Sequence, residues 1–80
     1  MFTLNYGTGA GDTTHESIEE CMEMVDFAYT QTSVYIVDEN NCDLWVAQWW
    51  GMPYNPEEDD DEPLADFGSF GYYSQWVNLT

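Results

Sequence analysis

Sixteen Asp and Glu residues are set against no Lys and no Arg, with His15 the lone imidazole, so the formal net charge at pH 7 is -16 over 80 residues. An ordinary domain is about a quarter charged with both signs mixed, so positive charge has been selected against here. Binding to nucleic acid through Lys and Arg phosphate contacts is excluded, because that electrostatic attraction supplies nearly all non-specific affinity. Attraction to anionic membranes is excluded for the same reason. Acidic disordered chains are poor in aromatic and β-branched residues, whereas this chain is 44% hydrophobic and 18% aromatic. The expectation is one small folded domain over residues 1–80 with a modest core.

Phe2, Leu4 and Tyr6 alternate with polar residues and predict a strand with those three on its inner face. Gly7-Thr8-Gly9-Ala10-Gly11 then makes a loop, and Asp12, Thr13 and Thr14 are N-cap candidates, with Thr13 and Glu16 spaced as a capping box. Ile18, Cys21, Met22, Val25, Ala28 and Tyr29 follow helical spacing through three turns. Thr32 to Val37 and Leu44 to Trp50 read as two strands of a hairpin around the turn-forming Asp38 to Asp43. Pro53, Asn55, Pro56 and the acidic run to Glu62 predict a solvated loop at about 53–66. Phe67 to Gly71 holds too much glycine for a core element, while Tyr72 to Val77 is able to add a last strand. The fold class expected is α+β: one amphipathic helix packed on a small antiparallel sheet in the order β-α-β-β, with that further C-terminal strand as an addition.

Enzymatic chemistry finds little support. His15 sits at the expected helix start with no Lys or Arg to stabilise an oxyanion or a phosphate, and paired carboxylates for glycoside hydrolysis need a cleft that one helix and a small sheet leave little room for. The glycine loop lacks the Lys-Ser/Thr ending of a phosphate-binding loop. Asp38, Asn40 and Asp43 hint at a weak calcium loop but depart from EF-hand spacing. Cys21 and Cys42 with His15 are one ligand short of a closed zinc site. The reading is therefore a non-enzyme without cofactor or metal, its two cysteines reduced. Apolar runs are far shorter than the roughly 18 residues of a membrane span, and no basic segment opens the chain, so a cytoplasmic setting is expected.

The acids are arranged as well as abundant. On a helix, Glu16, Glu19, Glu20, Glu23 and Asp26 fall in a sector opposite Ile18, Met22 and Val25. Glu16 with Glu20 and Glu19 with Glu23 are repulsive i,i+4 pairs, so the stripe costs stability. Over a continuous helix these five charges span about 15 Å, one per ~3 to 4 Å, close to the ~3.4 Å per charge of a DNA strand. That spacing suits a phosphate mimic, and a large single-sign field is normally avoided unless it steers a partner. Phe27 falls within the same sector, either as an interface anchor or partly covered by the C-terminal segment. Trp45, Trp49 and Trp50 cannot all face one side of a strand. Glu57, Glu58, Asp59, Asp60, Asp61 and Glu62 form the densest charge, a secondary element suited to steering.

With its small size, absence of Lys and Arg, carboxylate stripe and compact α+β pattern, the chain resembles the acidic DNA-mimic inhibitors of phages: anti-CRISPR proteins, anti-restriction proteins and uracil-DNA glycosylase inhibitors. The resemblance is one of class. It implies a protein working in the bacterial host cytoplasm, whose partner is a basic nucleic-acid-binding complex such as a CRISPR-Cas effector or restriction enzyme, with the DNA-binding or PAM-reading site blocked. Two other classes fit the same composition: an acidic immunity protein or antitoxin neutralising a basic nuclease toxin, and a weak calcium-binding module.

Overall fold

The structure, a computed structural model, describes residues 1–7, 11–27, 31–58 and 61–80. Among the described residues, antiparallel strands and one short helix make a mixed α+β fold. The elements run β1 (Phe2–Asn5), β2 (Thr13–His15), α1 (Ile18–Met24), β3 (Val34–Val37), β4 (Asp43–Ala47), β5 (Trp49–Trp50), β6 (Ala65–Asp66), a 3₁₀ turn (Gly68–Phe70), β7 (Tyr72–Tyr73) and β8 (Val77–Asn78). They form a five-stranded sheet in the order β2-β1-β3-β4-β8 and a three-stranded sheet in the order β5-β7-β6.

Alternation in β1 works as its sequence predicts: Leu4 and Tyr6 are buried and Phe2 packs half-buried against the core. The register aligns Leu4 with Ile36 and Ile36 with Trp45, so one row of apolar side chains crosses three strands on the core face. The β3–β4 hairpin closes through Asp38, whose N–H donates to the Cys42 carbonyl at 3.1 Å and whose Oδ1 accepts from the Asn40 and Cys42 N–H groups at 2.8 and 3.0 Å. Asn41 takes the left-handed conformation that asparagine tolerates in turns (φ 62).

Several sequence expectations change. Thr13 to His15 do not cap a helix; they form an edge strand on β1, with Phe2 opposite His15 and Leu4 opposite Thr13. The cap is Ser17, whose Oγ accepts from the Glu20 N–H at 3.0 Å, which puts the helix entry four residues later than Thr13. The helix also stops at Met24, so its apolar spacing does not continue through three turns. The Asp26 N–H, which a longer helix would aim at the Met22 carbonyl, instead donates to the Tyr6 hydroxyl at 3.0 Å. Val25 is extended (ψ 136) and no basic residue lies in the last turn to favour continuation. Ala28 and Tyr29, which extended the helical spacing, lie outside the described residues, as do Thr8, Gly9 and Ala10 of the glycine loop.

Leu44 to Trp50 is divided rather than continuous. After β4 the chain passes at Gln48 into the second sheet, where the Trp49 N–H donates to Ser33 Oγ at 3.0 Å and the Gln48 carbonyl accepts from the Ser74 N–H at 3.0 Å. The expected strand over Tyr72 to Val77 is divided too, β7 joining the small sheet and β8 pairing with β4. Tyr73 joins the two sheets: its side chain is fully buried, its ring centroid lies 4.9 Å from Trp49 and 4.6 Å from Phe27. Among the described residues no helix is long and apolar enough to cross a membrane.

Cys21 is buried on the core face of α1 while Cys42 is exposed, and both are free thiols. Burial, and then the neighbouring Glu20 charge, hold the Cys21 thiol above its ordinary value, and burial does the same for the Tyr73 hydroxyl. Both groups therefore keep protons that the unfolded chain releases. Their contribution is complete at neutral pH and lost as pH rises above about 8.5 to 10. In a thiol-exchange assay with a chromogenic disulfide, Cys42 is expected to react at once and Cys21 only as fast as the protein opens. Two equally fast thiols in the native protein would place Cys21 outside the core.

Candidate acidic interface

None of the described Asp and Glu residues is buried. The sequence offers two groups able to carry positive charge, and each already lies beside a carboxylate. The amino group of Met1 is 2.6 Å from Glu39 Oε1, and this hydrogen bond and its charge hold the Glu39 carboxyl below its usual value. His15 Nδ1 is 3.3 Å from Glu20 Oε1, and its Nε2 is 2.8 Å from Thr13 Oγ1. His15 is thus a half-buried link between β2 and α1, where the sequence placed it at the expected helix start. The protein has no further cation with which to neutralise its surface.

The shortened helix redistributes the acidic stripe. Glu19, Glu20 and Glu23 belong to α1, Glu16 precedes the Ser17 cap, and Asp26 follows the extended Val25. All five are exposed, while Ile18, Cys21, Met22 and Val25 pack into or against the core, so the division into an apolar and an acidic side holds on the helix itself. The 15 Å helical span from Glu16 to Asp26 does not apply. The three helical acids span about 6 Å of axis, ~3 Å per charge, which stays near the charge spacing of a nucleic-acid strand. Phe27 does not stand out as an exposed anchor. It is half-buried, with its ring centroid 4.6 Å from Tyr73 and 6.1 Å from Trp76, so it is covered by the C-terminal segment.

The acidic run is fastened at points along its length. The Glu57 and Glu58 N–H groups donate to Asn55 Oδ1 and the Asn55 carbonyl at 3.0 and 3.1 Å. Tyr54 Oη donates to the Asp61 carbonyl at 3.1 Å, and Gln75 Nε2 donates to the Glu62 carbonyl at 2.6 Å. Glu57, Glu58, Asp61 and Glu62 are exposed, and Asp59 and Asp60 lie outside the described residues. Leu64 and Ala65, at the end of the expected loop, turn inward against the core instead of being solvated.

Sequence reasoning missed a groove of about 410 Å³ beside the small sheet, whose lining includes Trp50, Met52, Glu58, Asp61, Tyr72 and Trp76. Its origin is the register. Trp49, Tyr73 and Ala65 are cross-strand neighbours on the core face, which leaves Trp50, Tyr72 and Asp66 as neighbours on the other face. The Trp50 and Tyr72 rings are nearly parallel, 15° apart with centroids at 6.5 Å, and Tyr54 meets Tyr72 edge-on at 5.4 Å. The adjacent Trp49 and Trp50, which must point oppositely on a strand, were the signal available in the sequence.

Asp38 uses one carboxylate oxygen to hold the hairpin turn, and among the described residues no three His, Cys, Asp or Glu side chains converge as metal ligands. No protein-family model, curated protein or solved structure matches the chain.

Proposed function

We propose that the chain is a DNA-mimic inhibitor, of the kind phages encode, that occupies the DNA-binding or PAM-reading site of a bacterial defence complex, a CRISPR-Cas effector or restriction enzyme, and blocks target DNA there. It acts by occupancy and not by catalysis, and it requires no cofactor. Its place of action is the host cytoplasm, where such complexes meet DNA.

The observation carrying this reading is a surface of exposed carboxylates on a folded framework with no Lys or Arg to pair them. Such a field repels its own members and favours the unfolded chain; its compensating use is attraction to a basic groove. Glu19, Glu20 and Glu23 support the mimicry more specifically, because a helix fixes their spacing and the core fixes the helix. Preset charges avoid the ordering entropy that a flexible acidic tail loses on binding.

Affinity capture from lysates of bacteria that carry defence systems, treated with nuclease and eluted in rising salt, tests the partner class. Subunits of a DNA-binding effector or restriction enzyme are expected to elute together in the range where phosphate contacts are screened. Recovery of a single nuclease toxin would replace the reading with that of an immunity protein. Partners lacking any nucleic-acid site would reject both.

A further inference from the structure

The groove beside β5 and β7 combines three properties. It has an exposed aromatic wall in Trp50, an aromatic floor in the buried Tyr72, and carboxylates from Glu58 and Asp61 in its lining. The acids are not carried on a free tail, because Tyr54 grips the backbone at Asp61 and Gln75 grips it at Glu62. Ring faces next to carboxylates on a held backbone attract a cation that can stack and hydrogen-bond at once. Guanidinium meets that description better than ammonium, being planar, weakly hydrated and able to bind a carboxylate with two parallel N–H donors.

We propose that this groove seats an arginine side chain projecting from the basic face of the protein partner, stacked on Trp50 and hydrogen-bonded to Glu58 and Asp61. The inference rests on the mimic reading in taking the partner's face as basic. Charge complementarity selects the occupant: an acidic ligand is repelled, and a second copy of this chain has no Arg to insert. The groove thus receives one of the side chains that otherwise contact DNA phosphate, while the acids of α1 face others.

Titration of the ¹⁵N-labelled full chain at physiological salt with a capped Gly-Arg-Gly peptide, its Lys counterpart and its neutral citrulline counterpart reads the site through the tryptophan indole N–H signals. The Arg peptide is expected to shift the Trp50 and Trp76 indoles saturably, the Lys peptide more weakly, and the citrulline peptide not at all. Glu58→Gln with Asp61→Asn, which preserve shape, should weaken the Arg peptide about tenfold, whereas Glu19→Gln with Glu23→Gln should leave it unchanged. Equal response to Arg and Lys, or shifts spread evenly over α1 and the hairpin turn, would show general charge attraction and overturn the proposal. Silent Trp50 and Trp76 signals in a protein that still displaces DNA from its partner would remove the groove and keep the mimic. Peptide binding without DNA displacement would do the reverse.

Discussion

Gly71→Ala is expected to destabilise the protein by about 3 kcal/mol or more, a large part of the roughly 4 to 12 kcal/mol that holds a chain of this size together. Gly71 is buried with φ 142 and ψ -170, a region of backbone space populated almost only by glycine. A Cβ there would lie 2.3 Å from the Trp50 carbonyl oxygen and 2.6 Å from Trp49 Cζ2. Neither neighbour gives way easily, since Trp50 is paired with Tyr72 and Trp49 packs on Tyr73. Backbone strain costs about 1 to 3 kcal/mol and overpacking a further 1 to 3. The melting temperature should fall by more than about 10 °C. Gly68→Ala is the control: φ is 67 but nothing lies within 4 Å of the added methyl, so the loss should be about 1 to 2 kcal/mol. Equal effects of the two substitutions would mean that the Trp49–Trp50 segment does not press on Gly71.

Charge reversal on the helix should have the largest effect on binding. Glu19→Lys with Glu23→Lys converts two attractions into two repulsions at exposed positions that make no core contact. Binding to the partner is expected to weaken tenfold to about a hundredfold, mainly through faster dissociation. The fold should survive, because both positions are exposed and each reversal lowers the overall negative charge of a chain that otherwise has no Lys or Arg. Removing charge from the acidic run by Glu57→Gln with Glu62→Gln should chiefly slow association and flatten its salt dependence. Surface plasmon resonance at two salt concentrations separates these outcomes. Silent helix reversals beside an abolished interaction in the run variant would move the mimic from α1 to the run.

The parts of the fold legible in the sequence are those whose side chains repeat with a period. Phe2, Leu4 and Tyr6 give β1, the β-branched run at Val34 gives β3, and Ile18, Cys21 and Met22 give the buried side of α1. Boundaries were set by contacts that no local pattern carries. The Tyr6 hydroxyl takes the Asp26 N–H and the helix ends nearby. Thr13 to His15 have no apolar alternation and become a strand by pairing with β1. Glycine content argued against a core role for Phe67 to Gly71, yet Gly71 is buried because only a residue without Cβ lets β5 approach β7. The carboxylate face of α1 was visible as a sector, whereas the groove was not. Its walls come from short strands and loops between residues 50 and 77, and their convergence follows from the split at Gln48 and the order β5-β7-β6. The acidic run likewise looked like a purely solvated segment until Tyr54 and Gln75 were seen to hold its backbone.

The direct measurement is competition for the partner's DNA site. Fluorescent target duplex is bound to the purified defence complex at fixed salt, and the unlabelled protein is added while anisotropy is followed. DNA mimicry predicts that anisotropy falls to the value of free duplex as the protein saturates the DNA site, that a higher concentration of the fluorescent duplex raises the apparent inhibition constant in proportion, and that no ternary species forms. A stable complex of partner, duplex and protein together, with anisotropy undiminished at saturation, would contradict it.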